Sequence, residues 1–299
     1  MIFIALWGVL DTMSTVDDMS PFLVGEPVRD AGQFWGRSKQ VQYTLEYVRN
    51  SQCVSLVGPP GYGKTSLLNH VSDPDVRSRR GLPPENAFFF RLEGKAFAEC
   101  NQATCLNRFV EQIIGQVEAA NPVVAVALRE AIEGRSGGHL GLRRLFHTLC
   151  DYGLQPVVML DDFDALAQNP NLENSFFAAL RSLATGCQVS YVVASLLPLY
   201  ELETMRPESS TLCGICRQIT LPPLAKQESR DLIVGLLEQA QAVFPEPILD
   251  LVLRWGRNEP WRLHLAGHEA FQVWQENGGT LNGSECAALE RRFERAAAH

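Results

Sequence analysis

Short apolar runs alternate with amphipathic stretches along the chain as far as Pro222. Apolar runs of this length, bounded by turn residues, are typical of strands buried within a sheet. They predict strands at residues 53–57, 87–92, 156–160, 188–194 and 218–221. Because helical patterns lie between these runs, the alternation indicates a parallel sheet with helices on both faces.

Apolar residues at helical spacing predict the helices of this region. Val41, Leu45 and Val48 mark one face of a helix at residues 39–50, for which Ser38 can serve as the N-cap. The prolines of residues 73–86 predict a loop instead. Further helices are predicted at residues 104–118, 140–152 and 174–184.

The pattern changes after Pro222 and Pro223, where the strand-like runs cease. Helices alone are predicted beyond this point, at residues 227–241, 247–255, 260–275 and 284–298. We therefore expect an α/β domain, with a parallel sheet and flanking helices, followed by a small all-helical lid domain. The predicted division is an N-terminal extension at 1–19, an α/β core at 20–222, a helical lid at 223–280 and a C-terminal helix or tail at 281–299.

Composition and charge narrow the class of protein. With 46% hydrophobic and 20% charged residues, the chain suits a globular protein with a substantial core. The formal net charge of −8 disfavours a dedicated nucleic-acid binder, because such proteins need clustered Lys and Arg. Residues 1–10 are apolar but too few to span a bilayer, and they lack the basic start of a signal peptide. We expect a cytoplasmic protein with a loosely ordered extension and no membrane partner.

The eight cysteines are scattered, and without a secretory signal they are expected to be reduced thiols. Cys213 and Cys216 form one C-x-x-C pair, and no second pair completes a zinc site. His264 and His268 share a helix face, but nothing in the sequence brings them to these thiols. Buried or loop cysteines are therefore favoured over a metal site, and the role of the C-x-x-C pair stays open.

The strand predicted at 53–57 leads into a stretch that matches G-x-x-x-x-G-K-[ST] and precedes a helical pattern. Glycines let such a loop turn its N–H groups toward phosphate, and the following helix adds the positive end of its dipole. The lysine can reach the β- and γ-phosphates, and the threonine hydroxyl can ligate Mg²⁺. The alternative, a Gly/Pro turn that happens to precede a lysine, is disfavoured by the strand–loop–helix context. The predicted phosphate-binding loop consists of Gly58, Pro59, Pro60, Gly61, Tyr62, Gly63, Lys64, Thr65 and Ser66.

Two acidic residues, Asp161 and Asp162, follow the strand predicted at 156–160. The carboxyl ends of parallel strands face the ligand crevice, so Asp161 is predicted to hold Mg²⁺ directly or through water. Asp162 is placed to polarise an attacking water, but it is one methylene shorter than glutamate, and hydrolysis is expected to be slow. The alternative is a solvated strand end. Asp164 is expected to cap the following helix.

These motifs, with the helical C-terminal region, resemble the STAND branch of the AAA+-related P-loop ATPases. The similarity is strongest to prokaryotic modules akin to archaeal and replication-initiator ATPases, and it covers roughly residues 21–278. It implies ATP or ADP as the ligand, with Gly36 and Arg37 beside the adenine. It also implies that Ser195 senses the γ-phosphate, although Leu196 follows where related sequences commonly have arginine.

In the same family the helical lid carries a proline-containing turn over the nucleotide. The resemblance implies that Pro260 contacts the base and that Arg262 acts as a lid sensor. A helix N1 proline and a solvated arginine are the alternative readings. No arginine finger is identified, and Arg206 is a candidate by position alone.

Two functions of different classes are compatible with the sequence. The first is an ATP-hydrolysing molecular switch of the STAND kind, which controls a protein partner or its own assembly and fits a role in bacterial signalling or defence. The second is a nucleic-acid-loading ATPase of the initiator or transposition-regulator type, which the acidic charge disfavours. A nucleotide-binding scaffold without turnover would result if Asp162 could not position water. The expected cofactors are ATP or ADP and Mg²⁺.

Overall fold

A computed structural model describes residues 20–133, 138–204 and 212–296. The strands are β1 (Cys53–Val57), β2 (Ala87–Glu93), β3 (Gln155–Asp161), β4 (Ser190–Ser195) and β5 (Cys216–Thr220). The helices of the first part are α1 (Ser38–Arg49), α2 (Lys64–Ser72), α3 (Pro74–Arg79), α4 (Gln102–Ala120), α5 (Pro122–Ile132), α6 (His139–Asp151), α7 (Phe163–Ala167), α8 (Asn174–Gly186) and α9 (Leu199–Thr204). Those of the second part are α10 (Lys226–Gln239), α11 (Glu246–Gly256), α12 (Pro260–Glu276) and α13 (Cys286–Ala296).

The five strands form one parallel sheet in the order β2-β3-β4-β1-β5. Every residue of β1 and β4 is buried, because these central strands are covered by helices on both faces. The α/β prediction with flanking helices, followed by a helical region, is therefore confirmed. This order places the carboxyl ends of β1, β3 and β4 side by side, where the predicted site residues follow each strand.

Successive residues of β3 point alternately into two apolar clusters, one on each face of the sheet. Val158 and Leu160 lie in the cluster formed with α4, α6 and α8, whereas Val157 and Met159 lie in the cluster formed with α1 and α2. A third cluster joins helices α10–α13, which we call the helical domain. The two faces of the sheet and the helical domain thus have separate cores.

The segment at residues 20–28, here called the N-terminal strap, connects the α/β domain to the helical domain. Phe22 is buried in the core of the helical domain, and the backbone N–H of Leu23 donates to His264 Nδ1 at 3.2 Å. Further along the strap, the N–H of Val28 donates to Ser66 Oγ on α2 at 3.0 Å. One short segment is therefore hydrogen-bonded to both parts of the molecule.

Three features of this part of the fold differ from the sequence-based expectation. Residues 73–86 were expected to form a loop but contain α3, whose first turn is capped by Asp73 with Pro74 at its start. Helix α5 was not predicted, although Asn121 caps it in the same way. Ser38 begins α1 but does not cap it, because the N-cap residue is Arg37. The N-terminal extension at 1–19 and Arg206 lie outside the described residues.

None of the helices that the structure describes is both long and apolar enough to cross a membrane. Its longest helix, α4, buries one face against the sheet and exposes the other, as expected for a surface helix of a globular domain.

Substitution of Gly267 by alanine tests the contact between the strap and the helical domain. A Cβ at Gly267 would lie 2.4 Å from the Phe22 ring, so the variant is expected to lose about 1–3 kcal/mol in the free energy of unfolding. Gly115→Ala in α4 is the matched control, because nothing lies within 4 Å of its Cβ position. The control should gain about 0.5–1 kcal/mol from helix propensity. Urea unfolding checks both values, and equal stabilities would contradict the contact.

Acid should weaken the strap through His264. Burial lowers the pKa of His264 from 6.5 to about 4, since the neutral ring accepts the Leu23 N–H inside the core. The unfolded chain takes up a proton near pH 6.5 and the folded protein only near pH 4. The free energy of unfolding should therefore fall by about 3 kcal/mol as the pH drops through this window.

The variant His264→Asn isolates this effect, because its amide oxygen can still accept the Leu23 N–H but does not titrate. Urea unfolding of both proteins between pH 7 and pH 4 should give curves that converge as the wild type loses stability. Parallel curves would show that His264 does not contribute.

Candidate functional site

The predicted phosphate-binding loop connects β1 to α2 at the carboxyl edge of the sheet. Its first N–H, from Gly58, donates to the carbonyl of Ser195 on β4 at 3.3 Å, and α2 begins at Lys64. Gly61 and Gly63 have φ angles of 75° and 84°, a region that side-chain-bearing residues rarely adopt. The loop therefore turns tightly directly before a helix N-terminus, which is the geometry that binds phosphate through backbone N–H groups.

Lys64 lies inside this loop and is almost completely buried. Its Nζ donates to the carbonyls of Gly58 at 2.6 Å and Pro59 at 3.0 Å. Burial lowers the pKa of Lys64, and the nearby carboxylates of Asp164 and Asp161 act in the opposite direction. The loop carbonyls thus hold the ammonium group beside the N–H groups that would contact a phosphate.

Thr65 and Asp161 meet across the site. The Thr65 hydroxyl donates to Asp161 Oδ2 at 2.9 Å, and the Asp161 carboxylate is only 4% exposed. A hydroxyl and a carboxylate at this spacing are the hard oxygen ligands that Mg²⁺ prefers, directly or through water. The two residues therefore fit a magnesium ion that accompanies a nucleotide.

Asp162 adopts a left-handed backbone conformation with φ of 47° and turns its side chain toward Lys95. Lys95 Nζ lies 2.8 Å from Asp162 Oδ2, and this contact raises the pKa of Lys95. The Asp162 side chain is 38% exposed, so water can reach its carboxylate. Lys95 was not identified from the sequence, since nothing there pairs it with Asp162.

Asp164 does not cap α7, contrary to prediction, because it lies inside the first turn of that helix. Its carboxylate accepts the backbone N–H groups of Leu196 at 2.7 Å and Leu197 at 3.2 Å. Asp164 thereby fixes the segment that follows β4. Ser195, at the end of β4, is buried and donates its hydroxyl to the carbonyl of Leu197 at 2.7 Å.

Arg37 joins the phosphate-binding loop to the helical domain. Its Nη2 donates to the carbonyl of Tyr62 at 3.2 Å, and its backbone N–H donates to Glu228 Oε1 on α10 at 2.8 Å. Burial lowers the pKa of Arg37, and the Glu228 carboxylate opposes this change. Gly36, next to it, packs closely against Leu224 and Glu228.

The first turn of α12 lies directly on the loop. The N–H of Trp261 donates to the carbonyl of Gly61 at 3.3 Å, and a Cβ at Gly61 would lie 2.5 Å from the indole. Pro260 is the first residue of α12, which agrees with its interpretation as a helix N1 proline. The guanidinium of Arg262 lies 5.0 Å from the Trp255 ring and 5.3 Å from the Trp261 ring, so it packs between tryptophans within the helical domain.

A cavity of about 330 Å³ lies between α1, α2 and α10, and Gly36 is one of its lining residues. The Phe34 and His70 rings stack at its edge with centroids 4.3 Å apart. Two buried nitrogens of its lining residues, Trp35 Nε1 and His70 Nδ1, have no hydrogen-bond partner among the residues that the structure describes. Burial lowers the pKa of His70. The cavity thus combines aromatic side chains with polar and charged ones, which is typical of a small-molecule pocket.

The C-x-x-C pair lies away from this edge of the sheet. Cys213 belongs to a short 3-10 turn and Cys216 begins β5, opposite Cys53 of β1. Within residues 20–133, 138–204 and 212–296, no group of three or more His, Cys, Asp or Glu side chains is placed to hold a metal ion.

The structure also places Arg91 at the site, although this residue was not predicted from the sequence. Its Nη2 lies 2.7 Å from Asp161 Oδ2, and its Nη1 donates to Asn69 Oδ1 on α2. A signal was present in the sequence, since Arg91 is a charged residue inside the otherwise apolar run of β2. Charged residues are rarely buried in strands unless they are paired.

Comparison with solved structures shows the fold. A Walker-type ATPase of Pyrococcus abyssi matches with a TM-score of 0.65 at 12% identity, over 91% of this chain and 75% of that one. The ORC2 protein of Aeropyrum pernix in its ADP form matches with a TM-score of 0.63 at 14% identity, over 89% and 70%. Domain III of the replication initiation protein DnaA from Thermotoga maritima matches with a TM-score of 0.59 at 16% identity, over 90% and 98%.

A search of curated proteins by sequence found no match. The model of the family described as novel STAND NTPase 1, in contrast, matches residues 27–291, which include the loop, the acids after β3 and the helical domain. The chain therefore belongs to the novel STAND NTPase 1 family, and its fold is that of a STAND or AAA+-type P-loop ATPase.

Proposed function

We propose that this protein is an ATP-dependent molecular switch that binds ATP with Mg²⁺ and hydrolyses it slowly. The observation that carries the proposal is the contact between the phosphate-binding loop and the helical domain. The loop carbonyls of Gly61 and Tyr62 accept hydrogen bonds from Trp261 and Arg37. Because the same loop supplies the N–H groups for phosphate, phosphate binding and the position of the helical domain must influence each other.

The phosphates would lie against the loop backbone and the N-terminus of α2. Lys64 Nζ, which now contacts the Gly58 and Pro59 carbonyls, is placed to turn toward the β- and γ-phosphates. Thr65 and Asp161 would hold Mg²⁺, which neutralises phosphate charge when bound. Ser195, at the neighbouring strand end, would sense the γ-phosphate through the segment that Asp164 fixes.

The adenine would occupy the cavity beside Gly36 and Arg37. His70 lies about 9 Å from Lys64 along α2, at 1.5 Å per residue, so the cavity is within a nucleotide's length of the loop. Phe34 and His70 line this cavity and offer ring surface for stacking. Pro260 and Arg262, in the first turn of α12, would then report nucleotide binding to the helical domain.

Asp162 would orient the attacking water, since its carboxylate follows Asp161 and is open to solvent. Its ion pair with Lys95 occupies one carboxylate oxygen, and this competition supports slow rather than fast turnover. A slow hydrolytic step suits a switch, because the ATP-bound form then persists long enough to act on a partner.

The output would pass to a protein partner or to further copies of the chain in the cytoplasm, as in bacterial signalling or defence assemblies. The segment after β4 supports a protein partner, since Leu196 and Tyr200 are exposed there and Asp164 links this segment to the site. A nucleic-acid partner is not favoured, given the net charge of −8.

Substitution of Lys64 tests nucleotide binding. Lys64→Ala removes one charged hydrogen bond to phosphate and should weaken ATP binding by about 10- to 100-fold. Lys226→Ala is the matched control, because Lys226 is an exposed lysine at the start of α10. Calorimetric titration with Mg·ATP, and identification of nucleotide released on denaturing the purified proteins, check the result. A wild type that never binds nucleotide would refute the proposal.

Substitution of Asp162 tests hydrolysis. Asp162→Asn preserves size but removes the charge that orients water, so turnover should fall by about 100-fold or more while ATP affinity stays within about twofold. Asp151→Asn, at an exposed residue at the end of α6, is the control. Absence of turnover in the wild type would indicate a binding scaffold instead. Hydrolysis that appears only with DNA would favour a nucleic-acid-loading ATPase.

A further inference from the structure

The Oδ2 oxygen of Asp161 has hydrogen bonds that it cannot keep unchanged as a direct magnesium ligand. Its Oδ2 accepts from Thr65 Oγ1 at 2.9 Å and from Arg91 Nη2 at 2.7 Å, while its Oδ1 accepts the N–H of Asp162 at 3.1 Å. A carboxylate oxygen has two lone pairs, so Oδ2 is fully used. Thr65 can donate its proton to Asp161 while its oxygen ligates a metal. Arg91 has only donors, and its positive charge repels a nearby cation.

The surroundings of Arg91 hold its guanidinium beside Asp161 Oδ2, where it would compete with a bound cation. Its neighbours Phe90 and Leu92 point into the cluster with α4 and α6, so the Arg91 side chain lies on the opposite face, toward α2. Its backbone is fixed on both sides by Gln116 of α4, which accepts the Arg91 N–H at 2.9 Å and donates to the Arg91 carbonyl at 3.0 Å. The guanidinium therefore moves only by side-chain rotation.

A second acceptor is available to the guanidinium. Within the described part of the chain the Arg91 Nε has no hydrogen-bond partner, and the carboxylate of Glu93 lies 3.9 Å away on the exposed end of β2. A rotation of Arg91 toward Glu93 would release Asp161 Oδ2 and keep the guanidinium paired.

The other end of the guanidinium leads to the N-terminal strap. Arg91 Nη1 donates to Asn69 Oδ1, and Asn69 Nδ2 donates to the carbonyl of Val28 at 2.7 Å. Val28 returns to the phosphate-binding loop through its N–H bond to Ser66 Oγ at 3.0 Å. These contacts form a continuous polar path from Asp161 to the strap, which is itself anchored in the helical domain by Phe22 and His264.

We propose that Arg91 is a positioning residue that competes with Mg²⁺ for Asp161 and that its displacement is transmitted through Asn69 to the strap. The inference rests on the proposed function, because the cation arrives with the nucleotide. Arg91 then sets the Mg²⁺ concentration at which the site fills. It also gives the helical domain a second connection to the site, separate from the Trp261 contact.

The cation part is tested by Mg²⁺ titration of binding, with a fluorescent ATP analogue as the probe. Arg91→Gln should lower the half-saturating Mg²⁺ concentration by about tenfold, within the usual range of coupling between sites. Arg91→Lys keeps the charge and should stay near the wild type. Arg129→Gln, which breaks an exposed arginine ion pair with Glu118, should change nothing. An unchanged Mg²⁺ requirement in Arg91→Gln overturns the inference, and so does equal weakening with Mg²⁺ and with EDTA, which would mark Arg91 as a phosphate ligand.

The transmission part is tested by hydrogen exchange in residues 20–28. Mg·ATP should speed exchange there in the wild type, whereas Asn69→Ala should abolish this response because it interrupts the path from Arg91 to Val28. An equal response in both proteins overturns the path through Asn69. Asn69→Ala leaves the Arg91–Asp161 pair intact, so it still tests the transmission to the strap if Arg91→Gln fails to fold.

Failure of the proposed function would be recognised separately. If the wild type binds no nucleotide, the proposed function fails. The polar path from Asp161 to the strap is then tested by hydrogen exchange in nucleotide-free protein. Arg91→Gln should then show faster exchange at residues 20–28 than Arg129→Gln. Equal exchange in these two variants overturns the inference as well.

Discussion

The contact between Gly61 and Trp261 is the constraint on which the arrangement of the site depends. The indole fills the space that any Cβ at Gly61 would need, and the Trp261 N–H donates to the Gly61 carbonyl. The other end of the loop is hydrogen-bonded into the sheet through Gly58 and Ser195. A short stretch of backbone is thus held by both domains, and its conformation cannot change without a response from each.

The three carboxylates near the end of β3 all belong to aspartates, but they contact different groups and differ in what they can do. Asp161 is buried against Thr65 and Arg91, Asp162 is open to water beside Lys95, and Asp164 accepts two backbone N–H groups. Only the first has the burial and oxygen geometry that suit a cation. The other two differ in their partners, a lysine side chain for Asp162 and backbone N–H groups for Asp164.

The sequence was sufficient for the sheet and for the loop because both follow local rules. Strands β1 and β3 are buried almost throughout and consist mainly of apolar residues, since both faces are covered, and the loop needs its glycines and Lys64 in a fixed order. Helix α3 was missed because the prolines of residues 73–86 indicated a loop, and α5 was not predicted at all, although each helix begins with a proline after a capping residue. The partners of Asp164 and Arg91 come from other strands and helices, which no local pattern could pair.

The N-terminal strap has a consequence for the order in which this protein assembles. Leu23 is hydrogen-bonded to His264 across 241 positions of sequence, and Phe22 completes a core whose other members all follow residue 223. During synthesis the strap leaves the ribosome before its partners in the helical domain. The α/β domain can therefore form while the strap is still unpaired, and closure of the molecule waits for α12. Contacts between residues so far apart in sequence form slowly, because closing a long loop costs conformational entropy. Until they form, Phe22 is exposed and is a site for chaperone contact.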